Sequence, residues 1–505
     1  MISKNLRLYI FLFVLCLPLF FINIRNSHDW GDDFAQYIYQ AKNIVQGVPQ
    51  SEPCYIFDNP NFSSPTNSIG FPLILAPVYY LFGNNIIAFS ILITGILFCL
   101  CFALFIFFRK HFTNLISVLL VLIFVYNPYT LNFKMEIMTD IPFAFLLLIT
   151  ILTYRRINKE KIINYILIGI LAGFLISIRS IGISVITAIS LDRFISYLRL
   201  IREKSGAQYK ARKEFVKPFI QIFIFLISSS CFFLLLNVVI FKVPGGGILR
   251  YSHDFMLRNS GRMFLENILF YLTCFQNYFM SGINSIPLIP HITQFLILSL
   301  MLVGFIKKCM KKVELTELVL LCYLSIIFIY PNKTLIVGMR LLFPVFPFFL
   351  YYAVLGLQLI KLKLKIYKNI ISFLLGLFVL LPYSLSILNI MKHQHETLHG
   401  PQEPESTEAF NYIKNNTPSN AIFVFFRART IALYTGRKAT YSWYWTYEHE
   451  NEEQLDERFK TTGVNYILIN SDLEDIGSER YMKKYPDKVQ LIWQNAKFKL
   501  FSLKS

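Results

Sequence analysis

The sequence predicts a polytopic α-helical membrane protein that carries a small α/β domain at its C-terminal end. Three observations predict it. Hydrophobic residues make up 55% of the 505 and charged residues 16%, against roughly 25% charged in an ordinary soluble domain. Mean hydropathy is +0.50. Apolar runs of membrane-crossing length recur along residues 1–391, while 392–505 is hydrophilic. A soluble enzyme, a disordered scaffold and a secreted disulfide-rich mini-protein are excluded.

Apolar segments bounded by charged or turn residues fall at 8–24, 86–108, 115–131, 141–154, 163–178, 181–191, 218–241, 290–306, 315–330, 341–360 and 369–391, about eleven spans. The formal net charge is +19, and nearly all of it lies in the short connections that share one side with the N-terminus. That is the positive-inside pattern, so the N-terminus is expected in the cytoplasm and the tail outside it. The charge is a topology signal in the cell's inner or plasma membrane rather than a nucleic-acid footprint. The first span lacks a small-residue exit and reads as a retained helix. Six of the eight cysteines fall in or beside spans, and no CxxC occurs.

Three pieces are large on the outer side: a first loop at about 25–85, a second at about 242–290 and the tail. The tail reads as α/β, with a helix at 409–416 stopped by Pro418. Strands follow at 421–426 and 464–470, with a helix at 453–460 between them and a closing hairpin around Asn495-Ala496. Its aromatic run Tyr441, Trp443, Tyr444, Trp445 and Tyr447 suits stacking on sugar rings or packing at the membrane interface.

Charges at the edge of the hydrocarbon layer are costly unless paired or hydrated. Asp32-Asp33 opens a segment with helical spacing, Tyr37, Ala41 and Ile44 on one face and Gly47 at its end, read as an amphipathic surface helix. Adjacent carboxylates repel, which suits one of them to general-base work; an N-cap role is the plainer reading. Glu136 and Asp140 stand at i and i+4, expected on one helical face, and Asp140 before Ile-Pro142 also fits an N-cap. Arg179 at the end of a thin span needs an anion, for which Asp140, Glu136 or a bound phosphate would serve. Gly169, Ala172 and Gly173 on the same run permit close helix packing. Arg340 precedes Pro344 and Pro347, which break the start of a span. Arg250, His253, Arg258 and Arg262 make the second outer loop basic. Carboxylates suit deprotonating a nucleophile, and arginines suit holding a phosphate leaving group. The acids of the first two outer connections are expected to converge beside that cationic pocket.

The order and sidedness of these residues resemble the GT-C superfamily of lipid-dependent glycosyltransferases. The nearest likeness is glycosyltransferase family 39, the protein O-mannosyltransferase and aminoarabinose-transferase group. The resemblance is carried by Asp33-Phe-Ala-Gln-Tyr37 with Gly47, Gly70-Phe-Pro72-Leu-Ile-Leu with Phe82-Gly83, Thr139-Asp140-Ile-Pro142-Phe, Gly173 to Arg179-Ser-Ile-Gly182, and Arg340-Leu-Leu-Phe-Pro344. It implies inverting transfer of a hexosyl- or pentosyl-type sugar from a polyprenyl-phosphate carrier to a lipid, glycan or protein acceptor. By that likeness Asp33 is the base, Asp32 and Asp140 shape the site, and Arg179 or Arg340 holds the lipid phosphate. Glu136, Tyr37, His253 and Arg258 are further candidates for substrate contact. Many relatives carry Asp-Glu where this chain has Asp32-Asp33, and a basic residue where it has Pro65-Thr-Asn-Ser-Ile-Gly70. The choice between Asp32 and Asp33 therefore stays open, with Asp33 favoured by its spacing to Tyr37 and Gly47. No cofactor is expected with certainty; a divalent metal is compatible with the paired acids. A transporter or lipid flippase is the alternative, and would favour internal repeats and mid-membrane charges. A non-catalytic sensor whose tail binds a partner is a third reading.

Overall fold

The computed structural model describes residues 4–50, 52, 67–204, 212–243, 261–279, 288–329, 334–359, 365–442 and 451–504. It is predominantly helical, with one small sheet near the C-terminal end. Among the described residues five helical stretches are long and apolar enough to cross a membrane: Ile86–Arg109, Ser180–Arg199, Val216–Ile240, Leu335–Leu359 and Phe373–His393. Shorter apolar helices accompany them, and each expected span has a helix at its place. The chain divides into two compact units.

The first unit comprises Met1–Ile24, Ile91–Leu236 and Asp254–Gln394. It contains α1 (Lys4–Cys16), most of α4 (Ile86–Arg109), α5 (Asn114–Val125), α6 (Pro128–Phe133), α7 (Asp140–Arg156), α8 (Ile162–Ile178), α9 (Ile183–Lys204) and α10 (Arg212–Leu234). Its second half holds α11 (Gly261–Asn277), α12 (Leu288–Lys311), α13 (Leu315–Ile329), α14 (Leu335–Leu342), α15 (Phe346–Leu359) and α16 (Lys365–His393). The expected single span at 115–131 is broken, because Asn127 accepts from the Tyr129 N–H as a cap and Pro128 starts a new helix. Helix α11 falls where a loop was expected. Glycines bring helices close: a Cβ on Gly173 would stand 2.5 Å from the Ser229 carbonyl oxygen, so α8 meets α10 backbone to backbone.

The second unit comprises Arg25–Ser90, Asn237–His253 and His395–Ser505. It begins with α2 (Asp33–Gln46) and α3 (Gly70–Phe82), the latter an apolar helix too short to span and not anticipated within the first loop. The tail supplies α17 (Pro404–Asn416), β1 (Ile422–Val424), α18 (Ala428–Thr435), β2 (Lys438–Thr440), α19 (Glu452–Thr462), β3 (Tyr466–Asn470), α20 (Ile476–Lys484), β4 (Val489–Gln494) and β5 (Phe498–Leu503). The sheet order is β2-β1-β3-β5-β4. Strand β1 runs parallel to β2 and β3, while β5 lies antiparallel to β3 and β4. Six of these elements were expected, the β4–β5 pair as the closing hairpin; α18, β2 and α20 were not.

Trp30 of the first loop belongs to the core of this α/β fold. It is 5% exposed and packs edge-on to Phe410, Phe425 and Phe426. Helix α2 is correspondingly more buried than a surface helix: Phe34, Ala35, Ile38 and Ala41 lie inside, whereas Tyr37 and Ile44 are half-buried. The buried Gln40 amide is used on both sides: it donates to the Asn67 carbonyl at 2.8 Å and accepts from the Asn67 N–H at 3.1 Å. Gly47 ends the helix with φ 67°, a left-handed cap suited to glycine.

Candidate active site

Two clusters of charge stand out, one in each unit. In the first, the turn over residues 134–139 links α6 to α7 and passes through Ile137 at φ 48°. A β-branched side chain in the left-handed region is strained and needs its surroundings to hold it there. The turn overturns the expectation that Glu136 and Asp140 share a helical face. Glu136 sits half-buried in the turn, and Asp140 is the first residue of α7. Thr139, not Asp140, occupies the cap position, so the capping reading of Asp140 also falls.

The Asp140 carboxylate is instead engaged by both arginines. Arg179 Nη1 donates to Oδ1 at 2.7 Å and Arg340 Nε donates to Oδ2 at 3.0 Å. Asp140 is 2% exposed and each arginine side chain 14%. Arg179 reaches this place because α8 ends there: its extended backbone turns the chain through Ser180–Gly182 into α9. Arg340 lies in the last turn of α14, which Pro344 prevents from continuing regularly. Carbonyls near this helix end also accept from neighbouring helices. Tyr278 donates its hydroxyl to the Met339 carbonyl at 2.6 Å and Tyr323 to the Leu341 carbonyl at 2.7 Å. The backbone on either side of Arg340 is thus pinned. Two guanidinium groups against one carboxylate leave a net positive charge, a fit for a phosphate oxyanion.

Lys134, which the sequence did not single out, is buried beside this turn. Its ammonium donates to the Leu19 carbonyl at 2.9 Å. Burial lowers its pKa to about 7.

In the second unit Asp32 and Asp33 open α2 and face the first turn of α18. Asp32 occupies the cap position of α2, yet its side chain makes no cap bond to that helix. It accepts from the Tyr441 hydroxyl and, at 3.3 Å, from the Thr430 N–H. Burial raises its pKa, against the pull of Arg429 and the Tyr441 hydrogen bond. Asp33 differs. Arg429 Nη1 donates to its Oδ1 at 2.7 Å, and the side chain is 46% exposed. Arg429 Nε also stands 3.7 Å from Asp32. Both carboxylates are therefore held by α18 and its surroundings, and Asp33 is the more exposed of the two.

The other candidates divide. Tyr37 packs edge-on against Phe71 with centroids 4.9 Å apart. His253, Arg258 and the aromatic residues Trp443, Tyr444, Trp445 and Tyr447 lie outside the described residues, while Tyr441 is part of the α/β core. Among the described residues no group of three or more His, Cys, Asp or Glu side chains is placed to hold a metal ion. Asp32 and Asp33 each already face Arg429.

No family model matches the sequence, and no curated protein matches it. Solved structures do. ArnT from Cupriavidus metallidurans, bound to undecaprenyl phosphate, superposes with a TM-score of 0.57 at 10% identity, over 98% of either chain. The fold is that of the GT-C glycosyltransferases. The archaeal oligosaccharyltransferase AglB from Archaeoglobus fulgidus, solved with an inhibitory peptide and a dolichol-phosphate, gives a TM-score of 0.59 at 12% identity. That GT-C match covers 92% of this chain and 69% of AglB. At such identities the likeness concerns the GT-C fold, and the chemistry rests on this chain's own residues.

Proposed function

We propose that the protein is an integral-membrane glycosyltransferase that moves a sugar from a polyprenyl-phosphate carrier to a lipid, glycan or protein acceptor. The observation that carries this reading is Asp140 buried between Arg179 and Arg340. A carboxylate that organises two guanidinium groups at the mouth of a membrane unit creates a phosphate site where a prenyl tail can stay in the lipid.

In the reaction, Asp33 takes the proton from the acceptor hydroxyl. The acceptor oxygen bonds to the anomeric carbon on the face opposite the phosphate, and the bond from that carbon to the phosphate oxygen breaks. Configuration inverts, and the polyprenyl phosphate departs with its added negative charge held by Arg179 and Arg340. The tail, on the same side as Asp33, lies outside the cytoplasm in this reading.

The test compares wild type with Asp33→Asn, which keeps the size of the side chain but not its basicity. The assay reads consumption of polyprenyl-phosphate-linked sugars and appearance of glycosylated products, by mass spectrometry of expressing cells. Transfer is expected to fall about 100-fold to 10,000-fold, the usual worth of a general base. Undiminished transfer removes Asp33 from the mechanism. Carrier-dependent uptake of sugar without any covalent product would favour a transporter instead.

A further inference from the structure

The sheet gives a reason for the acidic pair to sit where it does. In the order β2-β1-β3 the chain leaves β1 toward one neighbour and later returns on its other side. Such a reversal is a topological switch point, and folds of this kind bind ligands outside the strand's carboxyl end, at the start of the next helix. Here the next helix is α18. Its cap residue is Arg427, which has no side-chain acceptor to offer the first-turn N–H groups. Asp32 supplies that acceptor to Thr430 from 398 residues away. The crevice where a ligand would bind is thus filled by the protein's own first loop.

Arg429, the second residue of α18, joins the two acids. It is 6% exposed, ion-paired to Asp33 at 2.7 Å and within 3.7 Å of Asp32. A carboxylate on the exposed first turn of a helix ordinarily samples several rotamers. The bond to a buried, immobilised guanidinium selects one and leaves the carboxylate reachable. Asp32, tied to Tyr441 and Thr430, fixes where α2 begins relative to α18.

Building on the reading of Asp33 as the base, we propose that the C-terminal α/β fold is a working part of the transferase. Arg429 is the positioning residue that aims Asp33, and Asp32 is the strut that keeps the two helix ends in register.

The experiment uses the full-length protein with Arg429→Met, Arg429→Lys and Asp33→Asn. It measures sugar transfer as above and binding of undecaprenyl phosphate by native mass spectrometry. Misplacing a catalytic group by about 1 Å costs on the order of 100-fold, so Arg429→Met is expected to lose about that much transfer. Binding of undecaprenyl phosphate should stay within roughly threefold of wild type, because the donor phosphate is held by other arginines. Arg429→Lys, which keeps the charge, should recover about tenfold of the loss. Full transfer by Arg429→Met, failure of Arg429→Lys to exceed it, or parallel loss of undecaprenyl phosphate binding would each overturn the proposal. If Asp33→Asn alone abolishes transfer, the base assignment stands whatever Arg429 shows. If Asp33→Asn transfers normally, that assignment is what fails.

Discussion

Replacing Asp140 by Asn keeps the shape of the side chain and removes its charge. Each guanidinium now gains roughly 4 kcal/mol from an opposite charge at about 4 Å, taking an effective dielectric of about 20. The carboxylate, only 2% exposed, has meanwhile given up several kcal/mol of hydration. The two cancel in part, and breaking a buried pair from one side nets about 3–5 kcal/mol. Arg179 and Arg340 would also repel each other across the vacated charge. The expected outcome is a detergent-solubilised protein whose Tm falls by roughly 5–15 °C. Undecaprenyl phosphate at about 100 times its Kd adds about 2.7 kcal/mol to any protein that binds it. It should raise the Tm of Asp140→Asn by more than that of wild type, because its phosphate supplies the missing anion. A variant melting within 2 °C of wild type, or one that undecaprenyl phosphate leaves unmoved, would refute the reasoning.

Two further outcomes follow from buried groups. Trp30→Ala empties an aromatic box and should cost about 3–5 kcal/mol; Asp32 and Asp33 follow it in the chain, so transfer should fall along with proteolytic resistance. Lys134 ionises at about 7 in the folded protein and near 10.4 in an unfolded chain. Between these values the unfolded chain holds the extra proton, so stability rises with pH from about 7 to about 10 and is lowest below 7. The full span is on the order of 4 kcal/mol. Lys134→Met should be more stable than wild type at pH 6 and lack that rise, which melting curves at pH 6, 8 and 9.5 would show.

Much of the architecture can be read from the chain because membrane spans and amphipathic strands are local patterns. The pairings of the sites are not local. The cost of charge at a span's mouth marks Asp140, Arg179 and Arg340 as needing partners, and the residue types suggest which signs meet. The helical face for Glu136 was wrong because a left-handed turn at Ile137 has no signature in a β-branched residue. Helix α18 was hidden by its brevity, although Gly436 at φ 69° marks its end. Missing that helix meant missing Arg429, 396 residues distant from the acid it holds. The apolar character of Gly70–Phe82 was visible, but without a second hydrophobic landmark it passed for loop.

Trp30 in the core of the C-terminal sheet has a consequence for how the molecule is made. Its ring contacts Phe498, a residue that follows it by 468 positions. At about 5–20 residues per second, Trp30 emerges and waits roughly half a minute to a minute and a half for its neighbours. Until Arg429, Thr430 and Tyr441 emerge, Asp32 and Asp33 lack the partners they have in the fold. A nascent chain stalled or clipped before β5 would leave the aromatic surroundings of Trp30 incomplete, and with them the seat of the segment that bears Asp32 and Asp33.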